Sequence, residues 1–108
     1  MKTILPTLKE KKRYLAYEIM SDKQITFNNL EKDLKRNIIN FLGELNYAKA
    51  GIILTKIYKN NKGILKLNNK YLNYVRAALT LTKKINSQNV IIKTNYVSGS
   101  IKKVKNYI

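Results

Sequence analysis

The 108-residue chain contains no histidine, no cysteine and no tryptophan, and it has a single proline. Without histidine it lacks the side chain that most often moves protons near neutral pH. Without cysteine it builds neither a disulfide framework nor a thiolate zinc site, and a reducing compartment is expected. No apolar run approaches the roughly 20 residues that span a bilayer, and the N-terminus has no apolar signal segment. The expectation is a soluble, cytoplasmic protein built as one domain over residues 1–108. With 44% hydrophobic residues the chain can bury a real core.

A further absence is more informative. All six acids (Glu10, Glu18, Asp22, Glu31, Asp33 and Glu44) precede Leu45, and none follows. The acid-free stretch carries 13 of the 22 Lys+Arg, and the formal net charge is +16. A solvated surface normally mixes both signs, which limits self-repulsion. AT-rich coding would favour Lys over Arg, but it would not remove Asp and Glu. A polyanion is the partner that such a stretch fits, and a nucleic acid is favoured over a membrane surface.

Read in order, residues 1–12 form a basic N-terminal arm around Pro6, with Lys9, Lys11 and Lys12. Residues 13–20 (RYLAYEIM) alternate as a strand, with Leu15, Tyr17 and Ile19 on one face and Tyr14, Ala16 and Glu18 on the other. Thr26 is placed to cap a helix running to Leu42. Its stripe is Phe27, Leu30, Leu34, Ile38 and Phe41, Glu31 and Lys35 make a favourable pair, and Gly43 is the stop.

Residues 50–59 predict a second strand, 60–63 (NNKG) a hairpin turn, and 64–67 a third strand. A helix is expected over 69–85, with Leu72, Val75, Leu79 and Thr82 inward and Lys83 and Lys84 at its negative end. A polar loop (86–89), a strand (90–97), a Ser98-Gly99-Ser100 break and a short terminal helix (101–108) complete the chain. On that last helix Ile101, Val104 and Ile108 share a face.

The order β-α-β-β-α-β predicts an α+β, ferredoxin-like or RRM-like sandwich. Helices would pack on a four-stranded antiparallel sheet, with a short C-terminal helix added. The second sheet face is apolar enough to need a cover, since Ile53 and Ile57 oppose Ile52 and Leu54; the terminal helix or a partner would supply it.

No catalytic or metal-ligating constellation is found. The acids are scattered, Glu18 reads as a salt-bridge partner, and Lys62-Gly63 lacks the upstream glycines of a phosphate loop. RNA-recognition modules stack bases on aromatics of strands one and three, but here strand three has none. What remains is backbone contact by Lys9, Lys11, Lys12, Arg13, Arg76, Lys102, Lys103 and Lys105, gripping RNA shape rather than base identity.

Four stretches together resemble one family: LPTLKEKKRYLAYEI (5–19), the strand-turn-strand of 51–67, YVRAALTLTKKI (74–85) and NYVSGSIKKVKNYI (95–108). They are similar to archaeal ribonuclease P protein component 2. Its eukaryotic relatives serve ribonuclease P and the related mitochondrial-RNA-processing ribonuclease. Arg13 and Tyr14 match the family's strand-one motif, and Ser98, Gly99, Ser100 and Ile101 match its closing motif. Near Thr80, where relatives often have proline, the match is looser.

The resemblance implies a subunit of the ribonucleoprotein that removes 5′ leaders from precursor tRNA. The RNA would hold Mg2+ and do the hydrolysis, and this chain would bind no cofactor. Expected partners are the catalytic domain of ribonuclease P RNA and protein component 3, with room for a homodimer inside a heterotetramer. The alternatives are a ribosomal or general structured-RNA-binding protein, and an enzyme with its own site.

Overall fold

The structure, a computed structural model, describes residues 11–108. The elements are β1 (Lys12–Met20), α1 (Phe27–Leu42), α2 (Glu44–Ala50), β2 (Ile53–Lys59), β3 (Lys62–Asn68), α3 (Leu72–Leu81), β4 (Lys84–Ile85), β5 (Gln88–Asn89), β6 (Ile91–Ser98) and α4 (Ile101–Lys105). A 3-10 turn, Asn69–Tyr71, leads into α3. Four strands pair antiparallel in the order β2-β3-β1-β6, with the first and third strands central. That is the ferredoxin-like sandwich expected from the split βαβ pattern.

Two apolar layers hold it together. On one face Leu15, Tyr17, Ile19, Leu65 and Leu67 pack against Leu30, Leu34 and Ile38 of α1 and Val75 and Leu79 of α3. On the other face Ala16 and Ile64 are buried under Val104 of α4, with Tyr14, Ile57, Tyr96 and Ile108 around them. The terminal helix therefore covers the second face, as expected, although Ile101 stays outside that cluster.

Local chemistry sets the boundaries. The Thr26 hydroxyl accepts from the Asn29 N–H at 3.4 Å and caps α1. Gly43, at φ 85°, ends α1 while its N–H donates to the Ile39 carbonyl at 2.7 Å. Of the expected α1 stripe, Leu30, Leu34 and Ile38 are buried and Phe41 is exposed.

Several boundaries differ from the sequence expectation. The seven-residue α2 follows the Gly43 stop and takes in Ala50, where the second strand is expected to start, so β2 begins at Ile53 after Gly51 turns the chain at φ 58°. The hairpin turn is the two-residue Asn60-Asn61, both at positive φ, and Lys62 and Gly63 already belong to β3. The long helix stops at Leu81. Asn86 and Ser87, also at positive φ, make a second two-residue turn between β4 and β5. Lys83 and Lys84 thus flank a hairpin rather than a helix end.

The Glu31–Lys35 pair does not form; among the described residues the one ion pair is Arg36–Asp33 at 3.3 Å. Asp33 also accepts the Asn86 N–H at 2.6 Å, tying the second hairpin to α1. Of the expected N-terminal arm, Lys9 lies outside the described residues. Lys11 and Lys12 are part of the fold: the Lys11 carbonyl accepts the Asn69 N–H at 2.8 Å, and Lys12 opens β1.

Candidate nucleic-acid interface

Strand pairing decides which basic residues share a face, because residues directly opposite one another point the same way. Lys59 pairs with Lys62, Lys62 with Glu18, and Glu18 with Lys93. One rung across all four strands therefore presents three lysines around a single carboxylate. A second rung runs Ile53, Lys66, Tyr14 and Ser98. Between them lie Ile64, Ala16 and Tyr96, the apolar strip that α4 covers.

A bulge makes this arrangement. Ala16 pairs with Tyr96 and Tyr17 with Thr94, so Asn95 is the extra residue in β6. Without it Lys93 and Tyr96, three apart, would point to opposite sides of the sheet. The Asn95 amide donates to Glu18 Oε1 at 3.3 Å, which occupies that carboxylate without neutralising the lysines beside it. Among the described residues Glu18 forms no ion pair within 4.0 Å, contrary to the expected salt bridge; the bulge gives it an amide instead.

The aromatic residues of this face are already engaged. Lys66 Nζ lies 5.9 Å from the centroid of the Tyr14 ring, a cation–π distance. Tyr96 and Tyr107 stack with centroids 4.4 Å apart and planes 13° apart, which fastens the end of the chain to β6. Lys102, Lys103 and Lys105 of α4 are exposed above the strip.

The expected basic residues divide. Lys102, Lys103 and Lys105 stand on this face, and Arg13 reaches the root of α4. Its Nη1 lies 3.3 Å from where a Cβ on Gly99 would be, so the opening and closing motifs touch in space. Lys12 turns elsewhere, its Nζ 3.4 Å from the corresponding position on Gly51. Arg76 is exposed on α3, in the helical layer on the opposite side of the sheet, so the structure does not bring it to the others. Lys59, Lys62, Lys66 and Lys93 were missed in sequence. The signal available was their parity with Tyr14 and Glu18, which becomes readable only once the strand register is known.

The described residues contain no group of three or more His, Cys, Asp or Glu that could hold a metal. None of the described helices is long and apolar enough to cross a membrane. The face offers lysines in rows set by the strand register.

Comparison with known proteins agrees with this description. The chain is 38% identical over 106 residues to ribonuclease P protein component 2 of Pyrococcus horikoshii, covering 97% of this chain and 88% of the relative. The protein of the same name from Archaeoglobus fulgidus is 33% identical over 105 residues, covering 97% and 94%. A chain in the cryo-EM structure of yeast ribonuclease MRP shares the fold, with a TM-score of 0.67 at 10% identity. That alignment covers 99% of this chain and 88% of that one. The Rpp14/Pop5 family model matches residues 13–108, and the chain belongs to the Rpp14/Pop5 family.

Proposed function

We propose that the chain is a protein subunit of ribonuclease P, the endoribonuclease that removes 5′ leaders from precursor tRNA, and that it binds and supports the catalytic RNA. The observation that carries this is the near full-length match to ribonuclease P protein component 2 sequences. The lysine rungs beside α4 supply the means: they bind phosphate without reading bases. In this reading the RNA holds the Mg2+ and performs the hydrolysis in the cytoplasm, and the protein contributes no catalytic group. The lack of histidine and the scattered acids support that division of labour.

The helical side would take a protein, and component 3 is the partner proposed. Phe41 and Leu81 are 44% and 56% exposed, and they line a shared groove between α1 and α3 with Asn37, Asn40 and Ala78. A homodimer inside a heterotetramer with component 3 belongs to the same proposal.

Reconstitution tests the proposal. The purified chain should show no nuclease activity alone, and should stimulate precursor tRNA cleavage by its cognate RNA when component 3 is present. Binding of structured RNA with no effect on cleavage would favour a ribosomal or general RNA-binding protein. Mg2+-dependent cleavage by the RNA-free chain, abolished by changing one of the six acids, would mean an enzyme with its own site.

A further inference from the structure

We infer that the α4 face conceals a stacking platform for unpaired nucleotides, and that α4 is its lid. Tyr14 on β1 and Tyr96 on β6 stand on adjacent strands of one face. Tyr14 is opposite Ser98 and Ala16 is opposite Tyr96, so the two rings are diagonal neighbours, within reach of each other's ligands. Ala16 and Ile64 form an apolar floor beside them. Lys66 sits over Tyr14, and Lys62 and Lys93 border the other end. Aromatic rings flanked by lysines are the chemistry that holds single strands without regard to sequence.

In the closed state the platform is filled by the chain itself. The Tyr107 ring lies on Tyr96 at 4.4 Å and 13°, the parallel arrangement a nucleobase would take. The helix that holds it there is weakly secured. α4 has five residues, Ser100 gives it no side-chain cap, and Val104 is its one buried side chain. A helix this short has no stability of its own. Its position therefore depends mainly on Val104 and the ring stack, with Ile108 at the edge of the same cluster, and losing the first two loosens the cover over Tyr14, Tyr96 and the floor together.

This inference rests on the RNA-binding reading above and goes beyond it, from phosphate contact to base stacking. The test uses the full chain, a labelled hairpin RNA and a labelled unstructured oligouridylate, with affinities measured by fluorescence anisotropy at fixed salt. The Val104→Ala/Tyr107→Ala variant opens the lid and keeps every lysine. It should bind oligouridylate about fivefold or more tightly than the unmodified chain, the lower end of what stacking one base contributes. Its hairpin affinity should show no such gain, because paired bases offer no free face to stack and the α4 lysines move with the lid. Adding Tyr96→Leu should cancel the gain. Tyr107→Ala alone removes a partly exposed ring, leaves Val104 in the core, and should shift oligouridylate affinity in the same direction by less. If the oligouridylate gain is absent in Tyr107→Ala and in the double variant while hairpin binding persists, the platform does not exist. If the unmodified chain binds neither RNA, the RNA-binding reading falls and takes this inference with it.

Discussion

Gly63 lies directly opposite Tyr17 in the β3–β1 pair, and the Tyr17 ring occupies the space that a side chain at Gly63 would need. A Cβ there would meet the Tyr17 hydroxyl, and would stand 2.6 Å from Tyr17 Cζ and 2.9 Å from Tyr58 Cδ1. Both rings are anchored in the main core, so neither can simply step aside. Gly63→Ala should therefore cost about 1–3 kcal/mol, the range for overpacking a filled core. Urea unfolding would measure it. A midpoint unchanged from the unmodified chain would show that the two strands part easily.

Tyr17→Phe should act in the opposite direction. The Tyr17 hydroxyl is buried without a hydrogen-bond partner among the described residues, whereas Tyr58 donates to the Ile25 carbonyl at 2.7 Å. Removing an unsatisfied buried hydroxyl should stabilise the fold by about 1 kcal/mol, visible as a rise in Tm. The pH dependence has a definite sign. Burial first, and the nearby Tyr58 second, push the Tyr17 phenol above its ordinary value. The folded state thus keeps it neutral, and the unfolded chain ionises it near about pH 10. Its ionisation leaves stability untouched below that pH and lowers it as pH rises beyond it, because only the unfolded chain then releases the proton. Lysines also discharge there, so the informative quantity is the difference between Tyr17→Phe and the unmodified chain. That difference should widen in alkaline melts, and a constant difference from pH 8 to 11 would contradict it.

How much was legible in the sequence follows from which forces are local. Thr26 and Gly43 announce α1 because a cap and a positive-φ stop are decided within a few residues. Residues 15 and 17 declared their face through period-two alternation. The seven residues of α2 are too few to show a period, and its stop, Gly51, carries the same meaning in a loop. The helix expected to reach Ile85 ends at Leu81. Ile85 is instead fully buried from the β4–β5 hairpin, whose turn rests on Asn86 and Ser87. The lysine face was hidden for a related reason. Its rows are made by pairing among four strands, and the Asn95 bulge reverses the parity of β6 midway.

A ridge on the helical side should govern protein association without touching RNA. Phe41 and Leu81 are large, exposed and adjacent to a groove, which is unfavourable in water and useful in an interface. Leu81→Asp should weaken binding to component 3 by at least about tenfold, as for a buried interface anchor. Hairpin RNA affinity and Tm should stay near those of the unmodified chain, because the side chain is exposed at the end of α3. Titration calorimetry with component 3 checks the first expectation; unchanged partner affinity would move that interface elsewhere.

The salt dependence of RNA binding tests the face assignment most directly. Each lysine that neutralises a phosphate releases counterions and adds roughly 0.7 to 0.9 to the slope of log affinity against log salt. Lys59, Lys62 and Lys93 share one rung, and Lys102, Lys103 and Lys105 stand on α4 above the same face. Changing either set of three to alanine should flatten the slope by about two to three units if all three meet phosphate. Arg76→Ala removes one charge from the helical layer and should leave the slope unchanged, although its loss of net charge equals that of any single lysine. The comparison thus separates position from total charge. Equal flattening per charge removed, whether from α3 or from the α4 face, would mean that the chain attracts RNA by net charge alone. A response confined to the two lysine sets would place the phosphates along the rungs that the strand pairing builds.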